Sequence, residues 1–116
     1  GKVLVAGLSS APVAEVYNPS ANVWTIAGTI NYARSYPLTS ILANGTVLLI
    51  GGSYYNILDT VELFNPATAT WTINDNMVYA RYYHAVCVLT NGQVLVTGGT
   101  NNINGYLSSA EIYQSY

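Results

Sequence analysis

Residues 81–99 read RYYHAVCVLTNGQVLVTGG, and residues 34–52 read RSYPLTSILANGTVLLIGG. The two stretches lie 47 residues apart and share one outline: an arginine, a short apolar run, Asn-Gly, a second apolar run and a double glycine. Self-similarity at a fixed interval signals a repeat architecture and outranks any local pattern. The same offset holds outward from this stretch. Glu15 falls on Glu62, Asn18-Pro19 on Asn65-Pro66, Trp24 on Trp71 and Tyr32-Ala33 on Tyr79-Ala80. A third, partial copy continues through Gly98-Gly99 to Glu111 and Tyr113.

Each copy reads as short strands, here lettered A to D. Strand A covers roughly 34–43 and 81–90, strand B 3–7, 46–51 and 93–98, strand C 13–17, 60–64 and 109–113, and strand D 22–26 and 69–73. Asn44-Gly45 and Asn91-Gly92 predict tight type I′ hairpins between A and B, because both central positions of that turn need positive φ. Asn-Pro at 18–19 and 65–66 predicts the C–D turns, with proline presetting φ. No stretch sustains a helical period. Strand B is almost continuously apolar, as expected of a strand covered on both faces. Strand D is shorter and more polar, as expected of an outer strand.

A four-stranded antiparallel unit repeated at this interval predicts an all-β protein built as β-propeller blades, each relying on its neighbours for a core. The expected division is a partial blade at 1–26 (strands B, C, D), a complete blade at 34–73 (A to D) and a partial blade at 81–113 (A, B, C). The chain opens at Gly1 inside a strand pattern, so we expect it to be a piece of a longer array. The remaining blades of that array are its first expected partners. Open apolar faces and strand edges predict association, aggregation or partial disorder of the isolated segment.

The family resemblance lies in recurring motifs. A strand ends in Gly51-Gly52 or Gly98-Gly99. An acidic-x-aromatic strand follows (Glu62-Leu63-Phe64; Glu111-Ile112-Tyr113), then a tryptophan (Trp71). Arg81-Tyr82-Tyr83-His84 opens the next unit. This order resembles the kelch repeat and implies an incomplete kelch-type propeller. The copies depart from the motif at Gly7-Leu8, at Pro37 in place of the histidine, and at Gln114-Ser115 in place of Asn-Pro.

Composition excludes several partner classes. Three basic and five acidic side chains give a net charge of −2, with no basic patch for nucleic acid or an anionic membrane. The apolar runs are too short to span a bilayer as helices, so membrane insertion is not expected. The one cysteine, Cys87, excludes an intrachain disulfide. All three glutamates share one repeat position, and both arginines share another. Charges placed so regularly predict buried Arg–Glu pairing that belongs to the scaffold. Trp24, Trp71, Tyr17, Phe64 and Tyr113 are expected in the core between sheets.

Catalytic chemistry has little to stand on. His84 is the only histidine, so a multi-histidine metal site is not expected from this segment. Kelch-like galactose oxidases use copper with tyrosine, histidine and a Tyr–Cys crosslink. Here His84 and Cys87 stand three apart on one strand and so point to opposite faces. The expected roles are a hydrogen-bonded structural histidine and a small buried cysteine. Asn74-Asp75-Asn76 lacks the further ligands of a calcium loop. No catalytic residue, metal ligand or cofactor is expected. Asn44-Gly45-Thr46 matches a glycosylation acceptor placed in a tight turn.

Topology locates the binding face. The A–B and C–D turns lie at one end of a blade, and the B–C and D–A loops at the other. From the first glycine after strand B to the glutamate, the separations are 8, 11 and 13 residues. Length variation on a constant scaffold marks recognition loops. Candidate ligand contacts are Tyr54, Tyr55, Asn56, Asn101, Asn102, Asn104 and Tyr106. The D–A loops add Asn31, Tyr32, Asn74, Asn76 and Tyr79. Tyrosine and asparagine make adaptable contacts at modest entropic cost. The expected function is a non-catalytic scaffold that binds a protein or peptide. Two alternatives stay open: a segment of a galactose-oxidase-like enzyme, and a glycan-binding or adhesion module.

Overall fold

A computed structural model describes residues 1–7 and 11–113. Leu8 and Gln114-Ser115, where the copies depart from the motif, lie outside the described residues. Fourteen strands follow one another: β1 Val3–Val5, β2 Val13–Asn18, β3 Val23–Thr29, β4 Leu38–Ile41, β5 Val47–Ile50, β6 Ser53–Tyr54, β7 Asn56–Ile57, β8 Val61–Asn65, β9 Thr70–Asn74, β10 Ala85–Val88, β11 Val94–Thr97, β12 Thr100–Asn101, β13 Gly105–Tyr106 and β14 Ala110–Tyr113. Ten of them form three antiparallel blades, β1-β2-β3, β4-β5-β8-β9 and β10-β11-β14, and β6-β7 and β12-β13 form two small ribbons. Among the described residues the fold is all-β and no sheet closes on itself, as expected of an incomplete propeller.

Side-chain alternation explains the packing between blades. Along β5 every residue is buried, but successive side chains face opposite ways. Val47 and Leu49 join Ala14, Ala27, Ile30, Phe64 and Trp71 in the core between the first and second blades. Leu48 and Ile50 join Val61, Met77, Val94 and Val96 in the core between the second and third. That two-sided burial is why this strand is continuously apolar. It does not hold for β1, where Val3 and Val5 are exposed and Leu4 alone packs inward.

The inner strands β4 and β10 lie side by side, as do the outer strands β3 and β9. Across the outer pair, the Trp71 indole N–H donates to the Ala27 carbonyl at 2.8 Å. Phe64 packs on Trp71 with ring centroids 4.9 Å apart.

Four expectations need correction. The A–B hairpins are not type I′. Gly45 N donates to Leu42 O and Leu42 N to Thr46 O, and of the turn residues Gly45 alone has positive φ, at 85°. This is a type I turn followed by a left-handed residue, a three-residue hairpin loop. Asn44 serves instead by accepting from Thr46 N and Oγ1 at 3.1 and 2.6 Å. Leu89 to Gln93 repeats the backbone pattern around Gly92.

Trp24 is 52 % exposed, because it points away from the second blade on a face that no other described blade covers. Cys87 is exposed for the same reason: its neighbour Val86 takes the inward side of β10. Strand D of the first blade is not short. β3 runs to Thr29 through a register shift opposite Val13 to Glu15.

Candidate functional site

The second and third blades each carry a charged clamp that positions their loops. In the second blade, Arg34 and Glu62 have no exposed side-chain surface and meet at 2.6 Å. Arg34 Nη1 donates to the carbonyls of Gly51 and Thr60, and Nε to that of Tyr32. The Glu62 carboxylate also accepts from the backbone and side-chain nitrogens of Asn31 and from Tyr32 N. One ion pair therefore ties the linker entering the blade to the ends of strands B and C. Burial lowers the Arg34 pKa, opposed by the Glu62 charge and hydrogen bond.

The third blade repeats the device. Arg81 meets Glu111 at 2.8 Å, and Glu111 accepts from Val78 N and Tyr79 N. Burial raises the Glu111 pKa, but the hydrogen bonds from Arg81, Val78 and Tyr79 together with the Arg81 charge outweigh it and hold the group below its usual value. Glu15, at the same repeat position, is exposed and makes no ion pair among the described residues. The expected scaffold role of the Arg–Glu register is thus observed where both partners are present.

His84 is likewise structural. Its Nε2 lies 3.1 Å from the Ile50 carbonyl of the preceding blade. A carbonyl only accepts, so Nε2 carries the proton. Burial holds the His84 pKa below its ordinary value, against the Ile50 bond and helped by the Arg81 charge. The double glycine makes this contact possible. A Cβ on Gly51 would stand 2.5 Å from the Arg81 carbonyl oxygen, and Gly52 N donates to that same oxygen. Among the described residues, no three His, Cys, Asp or Glu side chains come together as metal ligands.

The variable loops lie at the same end of the blades as these clamps. The B–C loops of the second and third blades fold into small ribbons that the sequence reading took as plain loops. β6 pairs with β7 through a turn at Tyr55, and β12 pairs with β13 around residues 102–104. Each ribbon extends the A–B ladder. Ser35 bridges Ser53 in the register that pairs Leu38 with Ile50, and Tyr82 bridges Thr100 likewise.

Tyr54, Tyr55, Asn56, Asn102, Asn104 and Tyr106 are exposed on this surface. Asn101 is not available to a ligand. It is buried, donates to the Ala80 carbonyl and accepts from Ile103 N and Asn104 N. Of the D–A residues, Asn31 is committed to Glu62, while Tyr32 and Tyr79 keep exposed rings.

Tyr54, Tyr55 and Asn102 line a cleft of about 330 Å³ together with Ser35, Tyr36, Ser53, Ile57 and Tyr82. Asn56, Asn102 and Asn104 line a neighbouring hollow of about 400 Å³ with Val78, Tyr79 and Ile103. Tyr106 lies farther out, beside Leu107 and Ser108.

Sequence reasoning missed Tyr36, Tyr82 and Tyr83. Tyr36 and Tyr83 are 63 % and 65 % exposed, with ring centroids 5.3 Å apart across the blade boundary. Tyr82 packs on Tyr83 at 4.4 Å. The available signal was the coincidence of tyrosine at 36 and 83, one repeat apart and two residues after the arginine.

The family model described as the kelch motif matches residues 34–77 and 80–115. No curated protein matches the chain. Among solved structures, that of YjhT superposes with a TM-score of 0.76 at 20 % identity, covering 86 % of this chain and 32 % of that one. The chain thus spans about a third of the length of YjhT.

Proposed function

The chain belongs to the kelch-motif family, and from that premise we propose that it is a non-catalytic scaffold binding a protein or peptide through the face built by its B–C and D–A loops. One observation carries the reading. Arg34, Arg81, Glu62, Glu111 and His84 are spent on the scaffold, while exposed tyrosines gather on the loop face. A repeated frame with loops of varying length and aromatic content is how rigid scaffolds present recognition surfaces.

Selection of random displayed peptides on the full chain, followed by amide-shift mapping, tests this. Ligands are expected to move the signals of residues 53–57, 78–79 and 100–106. Shifts confined to the A–B and C–D turns at the other end refute it.

A further inference from the structure

We propose that the chain associates head to tail. The sheet face of the first blade that carries Val3, Val5, Tyr17 and Trp24 seats on the open face of the third blade of a second copy. The contact is the one that already joins blades within the chain. It lies along the strands rather than on the loop face, so its failure leaves the binding reading above untouched.

Each blade has two unlike faces. Residues opposite one another in an antiparallel pair share a face, and the next pair takes the other. The second blade turns Val47, Leu49, Phe64 and Trp71 toward the first, where they meet Leu4, Ala6, Ala14 and Val16. It turns Leu48, Ile50, Val61 and Leu63 toward the third, where they meet Val86, Val94, Val96 and Tyr113. Both boundaries obey one rule. The face of the later blade that bears the strand-C aromatic covers the aliphatic face of the earlier blade.

One face of each kind is left over, at opposite ends of the row. On the first blade, register sets Val3 beside Tyr17 and Tyr17 beside Trp24, as it sets Val47 beside Phe64 and Phe64 beside Trp71. Val3, Val5 and Trp24 are exposed. The open aromatic pair already has the shape of the covered one. The Tyr17 and Trp24 rings stand 5.0 Å apart and tilted by 35°, those of Phe64 and Trp71 4.9 Å apart and tilted by 36°. On the third blade, Leu95 and Ile112 pair as Leu48 and Leu63 do, and Thr97 and Ala110 pair as Ile50 and Val61 do. Ile112 is 51 % exposed.

This match names the occupant. The open face of the first blade fits the aliphatic face of a blade of this kind. Among the described residues, only the third blade leaves such a face uncovered. The second blade stands between the two, so one chain cannot join its own ends, whereas a second copy can. Charge does not oppose the contact. Leu95, Thr97, Ala110 and Ile112 are neutral, and Glu15, opposite Val5, is the one charge that register places on the first blade's face. Its counterpart Glu62 reaches the linker at the loop end of the sheet, so Glu15 sits at the rim and keeps its water. Burial of aliphatic and aromatic surface drives the association. The contact is heterologous, so every added copy presents both kinds of face again.

Light scattering over a dilution series of the full chain tests this, and the mass is expected to grow with concentration. Trp24→Lys blocks one face and Ile112→Lys the other. Both side chains are half-exposed, so neither change opens a cavity, and emission of the buried Trp71 reports that each variant is folded. Each variant alone is expected to be monomeric. Their equimolar mixture holds one intact face of each kind and is expected to double in mass as a 1:1 dimer. Amide shifts on dilution of the parent chain need no substitution and are expected in both β1–β2 and β11–β14. The proposal is overturned by a parent that is monomeric at every concentration or by a variant that associates as the parent does. A folded mixture that stays monomeric, or dilution shifts on one face alone, overturns it equally.

Discussion

Replacing glutamate by glutamine at 15, 62 and 111 applies one chemical change to three repeat-matched sites in graded surroundings. At Glu62 the change removes the charge opposite a guanidinium that has no exposed surface. An amide keeps one acceptor for Asn31 or Tyr32 but turns a donor or a neutral oxygen toward Arg34 Nη2. Breaking a fully buried pair from one side leaves an uncompensated charge and costs about 3–5 kcal/mol. Domains of this size have about 5–15 kcal/mol in total, so the loss is a large share.

At Glu111 the side chain is 16 % exposed. Water reaches that pair, and the expected cost falls to about 1.5–3 kcal/mol at most, the range for hydrogen bonds to a charged group. At Glu15, exposed and without an ion-pair partner among the described residues, stability is expected to be unchanged. Urea unfolding reads all three, followed by tryptophan emission, because the Trp71 indole is buried and bonded across the blade boundary. Adding Arg34→Met to Glu62→Gln removes the stranded charge and is expected to recover part of the loss, which separates charge burial from the linker hydrogen bonds. Equal midpoints for the Glu62 and Glu15 variants refute the reasoning.

The remaining predictions concern pH and backbone strain. The folded pKa of His84 lies below the ordinary 6.5, so the unfolded chain takes up the proton first on acidification. The stability that His84 contributes is full above that value and is lost as pH falls through the lower folded pKa. Urea midpoints of the parent are expected to decline below pH 6.5, and those of His84→Gln to lack that part of the decline. Ala69 sits at φ 54°, at the turn position where the first copy has Asn22. Ala69→Gly is expected to stabilise by up to about 1 kcal/mol, relief of the left-handed strain exceeding the added freedom of the unfolded chain. Asn22→Gly should gain less, since asparagine tolerates that region, and thermal midpoints compare the two.

The ten strands of the blades, their order, the Arg–Glu register and the end of the molecule carrying the variable loops were legible before any coordinates, but the β6–β7 and β12–β13 ribbons were not. Periodicity explains why. Glu15, Glu62 and Glu111 recur together because each blade poses the same steric and electrostatic problem at that point. The same logic overreached at Trp24, placed in the core by analogy with Trp71. Equal repeat position means equal environment only where a neighbouring blade covers the face, and none of the described blades covers Trp24. Cys87 turned outward by the same rule.

The candidate site was only partly legible. Asn101 and Asn102 are adjacent and alike in sequence, yet one is buried and bonded on both sides of its amide while the other lines the cleft. Which of the two faces a ligand depends on how the β12–β13 ribbon folds over the Ala80 carbonyl, a contact 21 residues away in the chain. Tyr36, Tyr82 and Tyr83 read as the interior of strand A. They became surface only when the double glycine and the left-handed tyrosines interrupted the ladder between Leu38 and Ser35.

Local propensity and repetition therefore determined the blade, its charges and the places of its turns, but not the turn type at the asparagine-glycine corners. The tertiary structure decided which glutamate is caged, which tryptophan is dry, and which tyrosines meet across a blade boundary. Those outcomes depend on contacts between repeats, and a one-dimensional period carries no information about what lies across the interface.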